Sequence, residues 1–65
     1  MILFSTGCPR CKVLERKLSA KGIEYRHESD VNEIIQKGFM SVPVLKTDDG
    51  QYLDFAQANA YVNAL

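Results

Sequence analysis

Two cysteines, Cys8 and Cys11, are the residues of this 65-residue chain whose type and spacing point most directly to chemistry. They bound the sequence Cys-Pro-Arg-Cys, which follows an apolar run at residues 1–4 and precedes a segment with helical character. A thiol at a helix N-terminus faces unpaired backbone N–H groups and the positive end of the helix dipole, which favour thiolate over thiol. The arrangement therefore predicts a reactive dithiol.

The two cysteines are expected to have different roles. With Cys8 as the N-cap, Pro9 suits the first helical position because its fixed φ is helical and its missing N–H would have been unpaired there. Cys11 then lies one turn later, so Cys8 can attack a disulfide as the nucleophile and Cys11 can resolve the mixed disulfide. Arg10 and Lys12 add positive charge beside the sulfurs, a second, solvent-screened cause of a lowered Cys8 pKa. Pro9, Arg10 and Lys12, together with Asp54 from the last third of the chain, are candidate substrate-binding residues.

Other uses of the cysteine pair remain open. A structural disulfide here would close a very short loop and remove little chain entropy, so it would stabilise the fold poorly. A zinc or iron–sulfur site normally needs four ligands, and beyond the two cysteines the chain offers only the isolated His27. A metal or cluster would have to be shared between two chains, so we assign no metal ligand within one chain. Unreactive thiols are the third alternative, and the predicted position between a strand and a helix favours redox chemistry.

Composition limits the domain organisation and the partners. The hydrophobic fraction is 46% and the charged fraction 25%, with no linker or repeat, which indicates one globular domain over residues 1–65. Eight basic residues balance eight acidic ones, which leaves no electrostatic footprint for a nucleic acid or an anionic membrane. The polar residues 5–7 end the apolar start too early for a signal peptide or a membrane span. We therefore expect a cytoplasmic protein, and in a reducing compartment a cysteine pair is more often catalytic or metal-binding than structural.

The first strand and helix follow from hydrophobic pattern. Ile2–Phe4 is an unbroken apolar run, typical of a central strand. A helix over Pro9–Ala20 follows, ended by Lys21 and by Gly22 as a left-handed cap. Its predicted core-facing residues are Val13, Leu14 and Leu18.

A second strand–helix pair comes next. Residues 23–28 alternate apolar and charged, which predicts a half-exposed strand at a sheet edge, with His27 as a plain strand residue. Asp30 and Glu33 resemble a capping box that opens a short helix reaching Lys37, with Gly38 just after its end.

The last third predicts a hairpin and a closing helix. Residues 42–47 form a strand, Asp49-Gly50 is a strong turn signal, and residues 51–53 pair back antiparallel. Asp54 and Gln57 offer a cap for a final helix, whose apolar face comprises Phe55, Ala58, Val62 and Leu65. The order βαβαββα combines a parallel strand–helix–strand unit with an antiparallel hairpin, so we expect an α/β fold with a four-stranded mixed sheet and helices on both faces.

This order resembles the glutaredoxin branch of the thioredoxin family over essentially the whole chain, with Cys-x-x-Cys at the first strand–helix junction and Val42-Pro43 before the third strand. Ser41-Val42-Pro43 is similar to the family's Thr-Val-Pro motif, whose proline is cis and packs beside the dithiol. The resemblance implies a minimal thioredoxin (glutaredoxin-like) fold with a cis Pro43. It also implies that the Val42 backbone faces the thiols, where an extended disulfide-bearing peptide can pair with it. Val42 and Pro43 are therefore predicted substrate-binding residues.

Two subgroups of this branch are compatible with the sequence. Cys-Pro-x-Cys is typical of glutathione-dependent glutaredoxins, whereas residues 38–44 look like the NrdH-type redoxins, which take electrons from thioredoxin reductase. The chain has Arg10 where glutaredoxins usually carry Tyr, Ser5 in place of a basic residue, and Leu53-Asp54-Phe55 in place of their Gly-Gly. If Asp54 caps the last helix, its carboxylate occupies the N–H groups that a glutathione carboxylate would use, which should weaken glutathione binding. Phe55 is the one residue retained from the NrdH-type Trp-Ser-Gly-Phe segment.

The resemblance implies a small monomeric thiol–disulfide oxidoreductase that holds no cofactor of its own. Its electrons would come from glutathione, or from NADPH through thioredoxin reductase, and would pass to protein disulfides such as that of ribonucleotide reductase. An oxidant or sensor is a further possibility, because glutaredoxin potentials of about −200 to −230 mV lie close to the glutathione poise. Phe39 and Met40 are expected to rim the thiol cleft.

Overall fold

The computed structural model describes all 65 residues and contains the seven elements in the predicted order. They are β1 (Ile2–Phe4), α1 (Pro9–Ala20), β2 (Arg26–Glu28), α2 (Asn32–Gln36), β3 (Val44–Lys46), β4 (Tyr52–Leu53) and α3 (Phe55–Asn63). None of the three helices combines the length and apolar character needed to cross a membrane.

The four strands form one mixed sheet in the order β2-β1-β3-β4. β1 pairs parallel with β2 and antiparallel with β3, so that Leu3 lies opposite His27 on one side and Leu45 on the other. β3 and β4 form the antiparallel hairpin. The parallel first unit, the antiparallel hairpin and the edge position of β2 are confirmed.

Helices cover both faces of the sheet, as predicted. Successive side chains of a strand point to opposite faces, so Leu3 of β1 and Leu45 of β3 meet α1 and α3 while their neighbours Phe4 and Val44 meet α2. The first core consists of Leu3, Leu14, Leu18, Leu45, Ala58 and Val62, and the second of Phe4, Ile34 and Val44. Burial of these apolar side chains holds the two helical layers on the sheet.

Helix α1 has the predicted bounds but a different inner face. Cys11, Leu14 and Leu18 are fully buried, whereas Val13 is 40% exposed, so its assignment to the core was wrong. Positions 11, 14 and 18 follow the i, i+3, i+7 spacing of one face, and position 13 lies outside that stripe. Gly22, with φ of +68°, ends the helix as predicted.

Helix α2 lacks the predicted capping box. Its N-cap is Val31, which makes no side-chain cap, and Asp30 instead accepts a hydrogen bond of 3.0 Å from the Asn32 N–H. The Glu33 carboxylate turns away from the helix start because it accepts a hydrogen bond from Tyr52 Oη and lies 3.6 Å from Lys46 Nζ. These tertiary partners replace the local capping interaction.

Several element ends also differ from the sequence predictions. α2 ends at Gln36 rather than Lys37, β3 ends at Lys46 rather than residue 47, and β4 starts at Tyr52 rather than residue 51. β2 starts at Arg26 rather than at residue 23, because the Ile23 N–H is bonded to the Leu18 carbonyl as part of the turn that ends α1. β3 starts at Val44, after Pro43, which has no N–H to give to the ladder. The predicted Asp54 cap of α3 is confirmed, but the helix ends at Asn63, and Leu65 beyond it is 54% exposed rather than part of the inner face.

Candidate functional site

The junction between β1 and α1 sets the position of Cys8. The Ser5 N–H continues the ladder by donating to the Glu28 carbonyl over 3.0 Å, and Gly7 then turns the chain with a φ of +83°. Such a φ suits glycine, which has no Cβ to clash. Cys8 follows with extended backbone as the N-cap of α1, and Pro9 occupies the first turn as predicted. Cys8 therefore lies at the C-terminal end of a central strand and at the N-terminus of a helix.

The two cysteines form a close but unequal pair. Their sulfurs lie within disulfide distance and their Cα atoms are 5.1 Å apart. The Cys11 backbone N–H donates to Cys8 Sγ over 3.2 Å, so the helix terminus is directed at that sulfur. Cys8 is half-buried, whereas the Cys11 side chain has no exposed surface. Only Cys8 can therefore be reached first by a partner from solvent.

The segment before β3 forms the neighbouring wall of the site. The Val42–Pro43 peptide bond is cis, as the resemblance implied. The Val42 carbonyl oxygen lies 3.9 Å from Cys8 Sγ, and Pro43 is fully buried. Neither the N–H nor the C=O of Val42 takes part in a backbone hydrogen bond of the chain. The half-buried Val42, whose main-chain groups have no backbone partner, thus stands beside the accessible sulfur.

The predicted charged contacts lie farther along the same edge. The Arg10 guanidinium stacks over the Phe55 ring, 5.4 Å from its centroid, so it is directed toward the start of α3. There the Asp54 carboxylate accepts the Gln57 N–H over 2.8 Å, and the Asp54 N–H donates to Gln57 Oε1 over 3.3 Å. Lys12 is exposed and its side chain makes no hydrogen bond or ion pair. The structure therefore brings Arg10 toward the Asp54 corner and leaves Lys12 in solvent.

An open groove begins at Val42. We call it the Val42 groove, and its volume is about 210 Å³. Its lining residues are Thr6, Val31, Ile34, Ile35, Met40, Ser41 and Val42. Met40 is 99% exposed and lines the groove, whereas Phe39 packs against Tyr52 with ring centroids 6.3 Å apart. Of the two residues expected to rim the thiol cleft, only Met40 contributes to the groove.

This groove could hardly be predicted from the sequence. Ile34 and Ile35 are adjacent on a helix, so only one of them can face the sheet. Ile34 takes the core position at 1% exposure, and Ile35 is left 58% exposed. Two consecutive isoleucines on a five-residue helix were therefore the available sign of an apolar surface outside the core.

A hydrogen bond between Ser5 and His27 was also not foreseen. The Ser5 hydroxyl is fully buried, and its partner is Nε2 of His27 on the neighbouring strand β2. Because a buried hydroxyl without a partner is costly, this bond stabilises the start of the loop that leads to Cys8. His27 is thus more than a plain strand residue.

Comparisons with known proteins do not extend these observations. No protein-family model, curated protein or solved structure matches the chain. No three of its His, Cys, Asp and Glu side chains are grouped closely enough to hold a metal ion. The geometry and chemistry of the site are therefore the basis for its function.

Proposed function

We propose that this protein is a thiol–disulfide oxidoreductase with a thioredoxin-like fold of the glutaredoxin and NrdH type, which reduces disulfides in other proteins. The observation that carries the proposal is the unequal pair: Cys8 is accessible and receives the Cys11 N–H at its sulfur, while Cys11 is buried within disulfide reach. A nucleophile that faces solvent and a resolving thiol that does not are what stepwise disulfide exchange requires.

The reaction starts from the dithiol. The Cys8 thiolate attacks one sulfur of the substrate disulfide, forms a mixed disulfide and releases the other sulfur as a thiolate, which takes a proton from solvent. The Cys11 thiol then loses its proton and attacks Cys8 Sγ, which releases the second substrate thiol and leaves the Cys8–Cys11 disulfide. Two electrons pass from the protein to the substrate, and the two substrate thiols take one proton from solvent and one from Cys11.

The Val42 backbone supports recognition of a polypeptide. Its N–H and C=O, which have no backbone partner, can exchange hydrogen bonds with an extended segment that carries the substrate disulfide. Because the Val42 carbonyl lies 3.9 Å from Cys8 Sγ, such pairing holds the substrate next to the attacking sulfur. Backbone pairing makes few demands on sequence, which suits a cytoplasmic reductant with several protein partners, ribonucleotide reductase among the candidates.

Regeneration of the dithiol requires an external reductant. We favour NADPH through thioredoxin reductase over glutathione, because the Asp54 carboxylate already accepts an N–H at the start of α3 and so competes with a ligand carboxylate there. Arg10 is a candidate cation for such a carboxylate, and its guanidinium is stacked on Phe55.

A reductase comparison tests the proposal. The protein is mixed with NADPH and thioredoxin reductase, or with NADPH, glutathione and glutathione reductase, and insulin reduction is followed in each mixture. We expect turnover with thioredoxin reductase and little with glutathione, and none for Cys8→Ser in either. Inactivity of the wild-type protein in both mixtures would overturn the proposed function.

The burial of Cys11 argues against the alternative of a metal or iron–sulfur cluster shared between two chains. Such a site would need both thiolates at a surface that a second chain can reach, and Cys11 has no exposed surface. Metal analysis and the absorption spectrum of anaerobically purified protein test this point, and we expect a colourless, metal-free monomer.

A further inference from the structure

We propose that the Val42 groove is a subsite for one apolar side chain that flanks the disulfide cysteine of a polypeptide substrate. The inference rests on the proposed function and narrows its substrate class. It predicts a preference for protein disulfides with apolar neighbours over polar ones and over glutathione disulfide.

The groove adjoins the dithiol site at Val42. Val42 belongs both to the groove and to the wall of the dithiol site, where its carbonyl oxygen lies 3.9 Å from Cys8 Sγ. A segment that pairs with the Val42 backbone runs through both features without a break. Side chains of an extended segment alternate between its two sides, so a neighbour of the reacting cysteine projects away from the dithiol and toward the groove.

The size and the lining of the groove suit one apolar side chain. The groove has a volume of about 210 Å³ and five of its seven lining residues are apolar, with only the hydroxyls of Thr6 and Ser41 as polar side-chain groups. Sites for complete small-molecule ligands are larger, at roughly 300–1,000 Å³, so this volume fits a single large side chain. Met40 and Ile35 are 99% and 58% exposed, and covering them with an apolar group is favourable.

The lack of charge in the groove also favours an apolar occupant. The groove lining contains no charged residue, so the two carboxylates of a glutathione moiety find no partner in it. Three cations have other contacts, because Arg10 lies over Phe55 and both Lys37 and Lys46 lie 5.2 Å from the Tyr52 ring centroid, and Lys12 does not line the groove. An uncharged, apolar occupant matches the groove, and an anionic one does not.

The preference is tested with two terminally blocked peptides, Gly-Leu-Cys-Leu-Gly and Gly-Asn-Cys-Asn-Gly, each as its symmetric disulfide. Reduced wild-type protein is mixed with each peptide in single-turnover experiments, and each rate is divided by that of the same peptide with dithiothreitol. This division removes differences in the reactivity of the peptide disulfides themselves. We expect the normalised rate to be about tenfold higher for the leucine peptide, and glutathione disulfide to be slower than both peptides.

Matched variants assign the preference to the groove. Ile35→Ser shortens one wall, and Leu65→Ser makes the same kind of change at a side chain of similar exposure, 54% against 58%, outside the groove. Met40→Gln is a second groove variant at a fully exposed loop position, where an effect on folding is not expected. The leucine-to-asparagine ratio should fall to about a third or less in both groove variants and stay at its wild-type value in Leu65→Ser.

The possible failures are distinguishable. A wild-type protein that reduces both peptides with equal normalised rates overturns the subsite and leaves the proposed function standing. A leucine-to-asparagine ratio that is unchanged in both groove variants also overturns the subsite alone. The subsite is likewise overturned if sedimentation shows that the wild-type protein is a dimer and that Ile35→Ser abolishes the dimer, because the groove would then bind a second copy of the chain. Failure to reduce any of the three disulfides overturns the proposed function itself.

Discussion

The backbone N–H of Cys11 donates to the sulfur of Cys8 over 3.2 Å, while the sulfur of Cys11 belongs to a side chain with no exposed surface. Under the proposed function, one residue supplies both a stabilising group for the first sulfur and the thiol that would later displace the substrate. We therefore expect the two cysteines to differ in reactivity although they belong to the same helical turn.

We predict that Cys8 is the reactive thiol of the reduced protein, with a pKa below the value of about 8.5 typical of a free cysteine. The hydrogen bond from Cys11 and the helix N-terminus both favour the thiolate. The rate of alkylation by iodoacetamide, followed by mass spectrometry between pH 4 and 10, reports this pKa. Faster alkylation of Cys11, or an ordinary thiol pKa at Cys8, would contradict the assignment.

Substitution of each cysteine should separate attack from resolution. Cys8→Ser should lose disulfide reduction completely, because the remaining thiol is buried. Cys11→Ser should still attack, and should accumulate a mixed disulfide with the substrate because no second thiol releases it. Mass spectrometry of the protein after mixing with a peptide disulfide measures the adduct. Cys11→Ala is the control for an effect of the buried serine hydroxyl in Cys11→Ser. Absence of the adduct in both Cys11 variants would refute the assigned roles.

The helix starts that could be predicted are those whose causes lie within one turn of chain. Cys8-Pro9 starts α1, Asp54 with Gln57 starts α3, and both are read from neighbouring residues. The start of α2 could not be predicted, because Glu33 is drawn away from a cap by Tyr52 and Lys46, which come from a distant hairpin.

The candidate site likewise has a part that could be predicted from the sequence and a part that could not. The dithiol was predictable because its two residues share a turn, and the family resemblance located Val42 beside it. The groove was not, because Thr6, Ile35 and Met40 come from three separate segments that meet only in the folded chain. The bond from Ser5 to His27 likewise depends on the parallel pairing of β1 with β2.

The Asp54 cap should contribute measurably to stability. Its carboxylate accepts the Gln57 N–H over 2.8 Å and completes a capping box. Loss of such a cap typically costs about 1 kcal/mol, so Asp54→Ala should lower the free energy of unfolding by about that amount. Urea denaturation measures the difference. Asp54→Asn keeps an acceptor at the same place and should stay close to wild type, whereas equal losses in both variants would show that the cap is not the cause.

Glu33 should make stability depend on pH in the acid range. The hydrogen bond from Tyr52 and the nearby Lys46 ammonium hold the pKa of its carboxyl below its usual value. A carboxyl with a lower pKa in the folded state stabilises the protein above its unfolded pKa, about 4.3, and this contribution is lost as pH falls through the lowered folded pKa. Glu33→Gln should therefore lower the melting temperature at pH 7, and the difference from wild type should shrink as the pH approaches 3.

Glu24 provides the matched control for this dependence. It is also an exposed glutamate, and its side chain makes no hydrogen bond or ion pair, so Glu24→Gln removes the same charge without removing partners. The melting temperature of Glu24→Gln should follow that of the wild type across the same pH range. Added salt should narrow the gap between wild type and Glu33→Gln at pH 7, because the Lys46 pair is exposed to screening. A gap that is the same at pH 3 and pH 7 would mean that Glu33 acts through packing rather than through its charge.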